Sequence, residues 1–370
     1  MLYLDHNATT PVDPRVLEAM LPYFRELYGN PSSLHRLGRI ARSAVELARE
    51  QVAALIDAAP GQIIFTSGGT EANALALSNA PSGRTWLSDI EHPAVVENAG
   101  QRSGAAKLPG HFPVLPSGVA DVDALAAADL QAGDWVTLML ANNETGAIQA
   151  VGGLVERLKG RGVVVHSDAV QAAGKIPVSF SRLGVDLMTL SSHKLYGPKG
   201  CGALVCRSDL HLMSLQRGGG QERDLRAGTE NVAAIVGFGK AAELARLELA
   251  SRSADMLALR YRLEAGLQAI PGLVIFAHDA ERLPNTVQFG IAGVHGEMLL
   301  MQLDKQGIAV SSGSACAAGS DDISPVLAAM GIDTALARSA IRVSLGENND
   351  TTQIDRFITV LNQLLTPSLI

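Results

Sequence analysis

Residues 187–198, with the sequence LMTLSSHKLYGP, begin as a continuous apolar run and become polar from residue 191. Continuous apolar runs of this length are typical of strands that are buried on both faces of a parallel sheet. Lys194 follows the run, just beyond the point where such a strand ends. Its amine either reaches solvent or is partly desolvated, as a Schiff-base lysine must be.

Similar short apolar runs recur along the chain. They are found at 63–66, 85–88, 135–140, 163–166 and 203–206. Segments with helical spacing or loop composition separate them, such as 33–57, for which Ser32 or Ser33 is a candidate N-cap. The alternation predicts an α/β protein with a mostly parallel sheet covered by helices on both faces.

Polar residues follow five of the predicted strands. These clusters are SGGT at 67–70, EH at 91–92, NNE at 142–144, SD at 167–168 and SSHK at 191–194. The carboxyl ends of parallel strands lie at one edge of a sheet, and open α/β sheets bind their ligands there. The sequence therefore predicts a binding site at this edge.

The SGGT cluster and the residues around Lys194 have the composition of a phosphate site. Glycines allow close approach of the backbone, and the helix that follows presents free N–H groups at its positive end. Ser191 and His193 could add hydrogen bonds. An ordinary strand-to-helix turn is the alternative interpretation of 67–70.

Three further residues suit a pyridine-containing cofactor. Asp168 ends a predicted buried strand, where a carboxylate usually pairs with a cation such as a protonated pyridine nitrogen. Gln171, three residues on, could reach a phenolic oxygen. His92 is either a loop histidine with a satisfied hydrogen bond or a ring stacked on the cofactor that moves protons.

Arg342 and Cys316 lie in the last quarter of the chain. Arg342 is flanked by strand-forming residues and either clamps a substrate carboxylate in bidentate fashion or forms a surface salt bridge. Cys316 lies among small residues at 310–322, which predicts a mobile loop with a thiol nucleophile. By contrast, Cys201 and Cys206 lie in an apolar run and are predicted to be small buried residues.

Length and composition set the domain organisation. The chain has 370 residues, 47% of them hydrophobic and 18% charged. Chains beyond about 250–300 residues usually divide their core, and the pattern changes to alternating short strands and helices after residue 255. We predict a large domain at 15–254 and a small domain formed by 1–14 and 255–370.

Several classes of function are disfavoured. The net charge is −7, with no Lys/Arg run for direct nucleic-acid binding. No apolar stretch reaches the ~18 residues of a membrane span, and the first residues lack the regions of a secretory signal. Three cysteines suggest no disulfide framework, and no metal-binding pattern is found. We expect a cytoplasmic protein without a metal site.

Together the motifs resemble those of the cysteine desulfurases, the NifS/IscS group of class-V aminotransferase-like enzymes that use pyridoxal 5′-phosphate (PLP). The resemblance covers nearly the whole chain, and so many segments in one order make it specific. The segments are 4–11 (LDHNATTP), 28–33 (YGNPSS), 66–73 (TSGGTEAN), 91–95 (EHPAV), 141–146 (ANNETG), 167–171 (SDAVQ), 191–198 (SSHKLYGP), 218–222 (GGGQE), 226–231 (RAGTEN), 312–316 (SGSAC) and 342–345 (RVSL).

The resemblance implies a fold-type-I PLP-dependent transferase, with a mostly parallel seven-stranded sheet flanked by helices in the large domain and a smaller α+β domain that carries the Cys316 loop. It implies a homodimer that converts L-cysteine to L-alanine. The sulfur would be held on Cys316 as a persulfide and passed to an iron–sulfur scaffold or another sulfur-acceptor protein.

The resemblance also implies a role for each site residue. Lys194 would hold the cofactor as a Schiff base, with Asp168 on the pyridine nitrogen, Gln171 on the phenolic oxygen and His92 stacked on the ring. The phosphate would be held by Gly69, Thr70, Ser191, His193 and Thr229 of the second subunit. Asn143 and Arg342 would bind the substrate carboxylate, and the catalytic residues would be Cys316, Lys194 and His92.

Other functions remain open on the same fold. A selenocysteine lyase or another class-V PLP enzyme, such as an aminotransferase, has a similar site, although the Cys316 loop disfavours a plain aminotransferase. A catalytically silent scaffold is disfavoured because Lys194, Asp168 and Cys316 are all present.

Overall fold

The structure, a computed structural model, describes residues 1–80, 85–100, 109–312 and 323–365, so Cys316 lies outside the described residues. The strands are β1 (Leu2–Tyr3), β2 (Ile63–Thr66), β3 (Thr85–Ser88), β4 (Gly110–Phe112), β5 (Trp135–Thr137), β6 (Val164–Asp168), β7 (Leu187–Ser191), β8 (Gly202–Cys206), β9 (Leu273–Ile275), β10 (Thr286–Ile291), β11 (Ile308–Ala309) and β12 (Ile341–Ser344). The helices are α1 (Pro14–Arg25), α2 (Arg36–Leu55), α3 (Gly69–Ser78), α4 (Pro93–Gly100), α5 (Val122–Ala126), α6 (Val151–Leu158), α7 (Phe180–Leu183), α8 (Val232–Gln268), α9 (Gly296–Lys305), α10 (Pro325–Ala329), α11 (Thr334–Ala337) and α12 (Thr351–Leu365).

The largest sheet has seven strands among the described residues, in the order β2-β8-β7-β6-β5-β3-β4. Strand β8 is antiparallel to both of its neighbours, whereas the other adjacent pairs are parallel. The central strands β5, β7 and β8 are buried at every position, as their continuous apolar runs predict. The predicted α/β class with a mostly parallel seven-stranded sheet is confirmed.

Two smaller sheets hold the C-terminal part of the chain. One is antiparallel, with the order β12-β10-β9, and the other pairs β1 with β11 in parallel. A further bridge joins Asp5 to Ser344 at the end of β12. The first residues of the chain therefore lie against the strands that follow residue 270.

Helix α8 connects the two main hydrophobic cores. It is 37 residues long, whereas the helical pattern in the sequence was apparent only from residue 256. Ile235 and Phe238 pack in the core beneath the seven-stranded sheet, and Leu263 and Leu267 pack with β10 and β12. The boundary after residue 254 thus falls inside a continuous helix, and the division into 1–14, 15–254 and 255–370 stays a prediction.

Helix α2 begins later than predicted. Its N-cap is His35, whose Nδ1 accepts a hydrogen bond from the Gly38 N–H at 3.2 Å. Ser32 and Ser33 do not cap it, because the helix begins only at Arg36 and both serines lie in a preceding turn, where their N–H groups bond to oxygens of Asn30. The predicted serine cap is therefore wrong.

The described residues show neither a membrane-spanning helix nor a metal site. None of the helices in the described ranges is long and apolar enough to cross a bilayer. Among the same residues, no group of three or more His, Cys, Asp or Glu side chains is arranged to hold a metal ion.

Candidate active site

A cavity of about 210 Å³ opens at the carboxyl edge of the seven-stranded sheet. Of the predicted site residues that the structure describes, all line it except Thr229 and Arg342. The lining residues are Gly69, Thr70, Asn73, His92, Ala94, Met139, Ala141, Asn143, Asp168, Val170, Gln171, Ser191, His193 and Lys194. The strand ends therefore bring together side chains from five separate segments, as the order of the motifs predicted.

Lys194 lies in a short 3-10 turn, Ser192–Lys194, that directly follows β7. Its Nζ donates hydrogen bonds to the backbone oxygens of Asn7 and Ala8, at 2.5 and 2.8 Å. The next turn is tight, because Tyr196 has a φ of 66° and the Gly197 N–H bonds back to the Ser192 oxygen. The amine is thus held between the sheet edge and the N-terminal segment, facing the cavity.

Asp168 is the last residue of β6 and is only 7% exposed. Its two oxygens accept hydrogen bonds from Asn73 Nδ2 at 2.8 Å and from the Val170 N–H at 2.9 Å. Across the described ranges, no Lys, Arg or His nitrogen lies within 4 Å of it. A buried carboxylate with neutral donors alone is suited to a cation that enters the cavity.

The turn before α3 forms a cradle of backbone N–H groups. Gly68 has an extended backbone, with φ 160° and ψ −179°, and α3 begins at Gly69. A Cβ at Gly69 would lie 3.1 Å from Val170 and 3.6 Å from Ser191, so a larger residue would crowd the cavity. The first N–H groups of a ten-residue helix thus face a space that Ser191 and His193 also line.

The two histidines of the cavity are held neutral. Burial lowers the pKa of His193 to about 4, and the charges of Lys194 and Lys199 act in the same direction. Burial also lowers the pKa of His92, where Asp168 opposes the shift and Lys194 adds to it. The Ala94 N–H donates to His92 Nδ1 at 3.1 Å, which places the proton of the neutral ring on Nε2.

Gln171 is held by two contacts on one side of the cavity. Its Nε2 donates to the Asn7 backbone oxygen at 3.0 Å, and its Oε1 accepts from Lys175 Nζ at 2.7 Å. Lys175 also donates to Oδ1 of Asn7 at 3.0 Å. Asn7 therefore contacts Gln171, Lys175 and Lys194, and the sequence interpretation gave no role to Asn7 or Lys175.

Arg342 lies beside the cavity but does not line it. Its guanidinium is 2% exposed and donates to Asp5 Oδ1 at 2.7 Å and to the Asn143 backbone oxygen at 3.0 Å. Its Nε is buried and has no hydrogen-bond partner in the described part of the chain. The surface salt bridge considered for Arg342 is therefore wrong, because the Arg342 side chain is buried and that of Asp5 is only 20% exposed.

The ends of the segment that carries Cys316 are tied to this region. On one side, Ser311 forms a backbone bridge with Arg342. On the other side, Ser324 Oγ donates to Glu144 Oε2 at 2.6 Å, next to Asn143. The residues that flank 313–322 therefore both contact neighbours of the predicted carboxylate site.

Thr229 lies in a separate cavity of about 250 Å³, together with Thr66, Ser67 and Glu230. It does not reach the first cavity within a single chain. The other two cysteines are buried as predicted, and burial raises the pKa of Cys201 to about 12 and that of Cys206 to about 11.

Two buried polar residues of the site, the amide Asn73 and the acid Glu91, received no role in the sequence interpretation. Asn73 follows Thr70 by three residues, so helical spacing on α3 could have indicated it. Glu91 accepts from Ser88 Oγ at 2.6 Å and from the Met139 N–H at 2.8 Å, and burial raises its pKa to about 8. Glu91 therefore stays protonated at neutral pH behind the cavity wall.

Comparisons with known proteins identify the family of the chain. Residues 2–357 match the aminotransferase class-V family. The cysteine desulfurase of Trichormus azollae is 43% identical, over 99% of this chain and 93% of that protein. The cysteine desulfurase IscS of Methanosarcina thermophila is 40% identical, over 98% and 92%. The solved structure of a NifS-like protein from Rickettsia africae has a TM-score of 0.91 and 34% identity, over 98% and 99%.

The chain therefore belongs to the class-V aminotransferase family. Its relatives over nearly the full length of the chain are cysteine desulfurases, which confirms the resemblance found in the sequence.

Proposed function

We propose that this chain takes sulfur from L-cysteine with the help of PLP, releases L-alanine and keeps the sulfur on Cys316 as a persulfide. One observation carries the proposal: a lysine amine and a buried carboxylate without a cationic partner in the described ranges face the same cavity. Lys194 supplies the amine and Asp168 the carboxylate. This pair is what a PLP enzyme needs at its aldehyde carbon and at its pyridine nitrogen.

The residues of the cavity fit the cofactor. When bound, PLP supplies an electron sink that stabilises a carbanion at the substrate Cα. Asp168 would keep the pyridine nitrogen protonated, Gln171 would donate to the phenolic oxygen, and His92 would lie against the ring. The neutral state of His92 suits stacking, because it adds no second positive charge beside Lys194.

The phosphate would bind at the start of α3. Its oxygens would accept from the N–H groups of Gly69 and Thr70 and from the side chains of Ser191 and His193. The low pKa of His193 means that the imidazole acts there as a neutral donor. Thr229 would complete the site from a second copy, since it lies outside the cavity of its own chain, and this supports a homodimer.

Substrate binding would use the wall opposite the sheet. Asn143 lines the cavity, and Arg342 donates to its backbone oxygen. The carboxylate of cysteine would bind to Arg342 and Asn143, taking over part of the charge compensation that Asp5 provides. Lys194, displaced from the cofactor by the substrate amine, would then move the Cα proton.

The transfer of sulfur from the substrate to Cys316 needs no added oxidant. The Cys316 thiolate attacks the substrate sulfur, the Cβ–S bond breaks, and the S–S bond of the persulfide forms. The electron pair of the broken bond stays on Cβ, which takes up a proton from solvent, Lys194 returns a proton to Cα, and the product leaves as L-alanine. A second thiol or an iron–sulfur scaffold then receives the sulfur, and we expect this transfer to take place in the cytoplasm.

Product release from L-cysteine tests the proposal. We expect the purified protein, loaded with PLP, to produce equal amounts of alanine and, with a reducing thiol, sulfide. C316A should keep the visible absorption of the cofactor and lose both products, whereas C206A, which removes a buried thiol, should keep them. Full activity of C316A would show that another group accepts the sulfur, and faster turnover of selenocysteine by C316A would favour a lyase.

A further inference from the structure

Lys175 is a buried lysine that the mechanism above does not use. It is 5% exposed, and within the described part of the chain its amine makes no ion pair with a carboxylate. Its Nζ donates instead to two amide oxygens, Oε1 of Gln171 at 2.7 Å and Oδ1 of Asn7 at 3.0 Å. Burial of an amine is costly unless its N–H groups are bonded, so the two amides account for its position.

The local backbone holds Lys175 next to Gln171. The turn after β6 is closed by hydrogen bonds from the Ala173 N–H to the Ala169 oxygen and from the Lys175 N–H to the Ala172 oxygen, both 3.0 Å. Gly174 has a φ of 78°, a left-handed conformation that glycine adopts without strain. The two side chains, four residues apart, therefore meet on one side of the turn.

The contact decides which way the Gln171 amide faces. An amide oxygen accepts and an amide nitrogen donates, so the N–H groups of Lys175 require Oε1 on their side. Nε2 is then turned away from Lys175, where one of its N–H groups bonds the Asn7 oxygen at 3.0 Å. The second N–H is left for the cavity that Gln171 lines.

We propose that Lys175 is a positioning residue that acts through Gln171, holding the amide so that an N–H and not the carbonyl oxygen meets the phenolic oxygen of bound PLP. The inference rests on the proposed function, because it concerns the same cofactor site. The second amide contact, to Oδ1 of Asn7, holds the Lys175 amine itself in place beside Gln171.

The surroundings of Lys175 indicate that it acts through hydrogen bonds and not through a positive charge. Among the described residues, the charged and titratable groups around it are Lys194, Arg342, His6 and His193, none of which is an acid. Burial, together with the charges of Lys194 and Arg342, holds the pKa of the Lys175 amine well below its usual range. A neutral amine still has the two N–H groups that the two oxygens accept.

The test is the pH midpoint of the visible absorption band of the PLP-loaded protein. A hydrogen bond to the phenolic oxygen favours its ionised form, so losing the bond raises the midpoint, by about one pH unit for one bond to a charged oxygen. We expect Q171A and K175M to raise the midpoint equally. The double variant should show no further rise, because Lys175 acts only through Gln171.

Two controls keep the test independent of folding and of lysine removal in general. K159M removes a 75% exposed lysine and should leave the midpoint unchanged. K175R keeps the N–H donors, so it should show the wild-type midpoint. It also provides the test if circular dichroism shows that K175M folds poorly. A wild-type midpoint in K175M, an altered midpoint in K175R or additive shifts in the double variant would overturn the inference.

The outcome also separates this inference from the proposed function. If the wild-type protein takes up no PLP and shows no visible band, both proposals fail. If it shows the band and only the Lys175 result differs, the cofactor site stands and Lys175 has no positioning role.

Discussion

The two walls of the cavity are built in different ways. On the sheet wall, Asp168 and Ser191 end their strands, and Lys194 follows one of them by three residues, so each is positioned mainly by its own strand. On the opposite wall, the N-terminal segment is positioned by partners from distant parts of the chain: Asn7 bonds Asn143, Thr286 and Ser344. Substitutions on the sheet wall should therefore affect chemistry alone, whereas those on the opposite wall should affect chemistry and stability together.

The largest expected effect is on the sheet wall. K194A should lower turnover of L-cysteine by about ten-thousand-fold, because both the cofactor attachment and the proton carrier are lost. Its melting temperature without cofactor should stay close to that of the wild type, since the side chain of Lys194 faces the cavity and its amine bonds to backbone oxygens there. Alanine release and thermal unfolding measure the two quantities, with K240A on α8 as the control, and turnover within tenfold of the wild type would contradict the role.

D168N should have the next largest effect, about a hundred- to a thousand-fold in turnover. The amide keeps the size of the side chain but removes the charge that would hold the pyridine nitrogen protonated. The visible spectrum of the loaded protein should change along with turnover. D123N, which alters an exposed aspartate, should change neither, and an unaltered spectrum in D168N would mean that Asp168 does not contact the ring.

R342A probes the opposite wall. It should raise KM for L-cysteine by about 10- to 100-fold, the range for a hydrogen-bonded charge pair, and also lower the melting temperature. The second effect follows because Asp5 loses its buried partner. R262A removes an exposed ion pair with Asp355 and serves as the control. A raised KM without any loss of stability would break the contrast between the walls.

The smallest expected effect concerns Glu91, behind the sheet wall. Its pKa is about 8 in the folded protein, against the usual 4.5. Between pH 4.5 and pH 8 the Glu91 carboxyl is therefore protonated in the folded protein and ionised in the unfolded chain. Stability from this group is therefore present below about pH 4.5 and is lost as pH rises towards 8. E91Q should melt at the wild-type temperature at pH 5 and about 2–4 °C higher at pH 8.

Thermal unfolding of the protein without cofactor at several pH values checks this prediction. E97Q, on the exposed side of the neighbouring helix α4, is the matched control and should follow the wild-type curve at every pH. Parallel curves for E91Q and the wild type would show that Glu91 is ionised in the folded state.

The same contrast explains how much the sequence could predict. Strands that are buried on both faces appear in the sequence as apolar runs, and the polar residues after them indicate one edge of the sheet. The positions of Asp168, Ser191 and Lys194 at this edge could therefore be predicted. The importance of Asn7 could not, because its contacts with Gln171 and Lys175 span 164 and 168 residues, which no local pattern indicates. Lys175 lies only four residues after Gln171, but its burial depends in part on the distant Asn7. Strand β4 was missed for a different reason, since its three residues contain only one buried apolar side chain.

The continuous helix α8 has a mechanical consequence. Each half of it is anchored in a different core, so neither half of the molecule can melt without uncovering apolar residues of the shared rod. Heat should then unfold the described chain in one cooperative step. Helix α8 thus joins the core beneath the sheet that ends in the cavity to the core of strand β12, which carries Arg342.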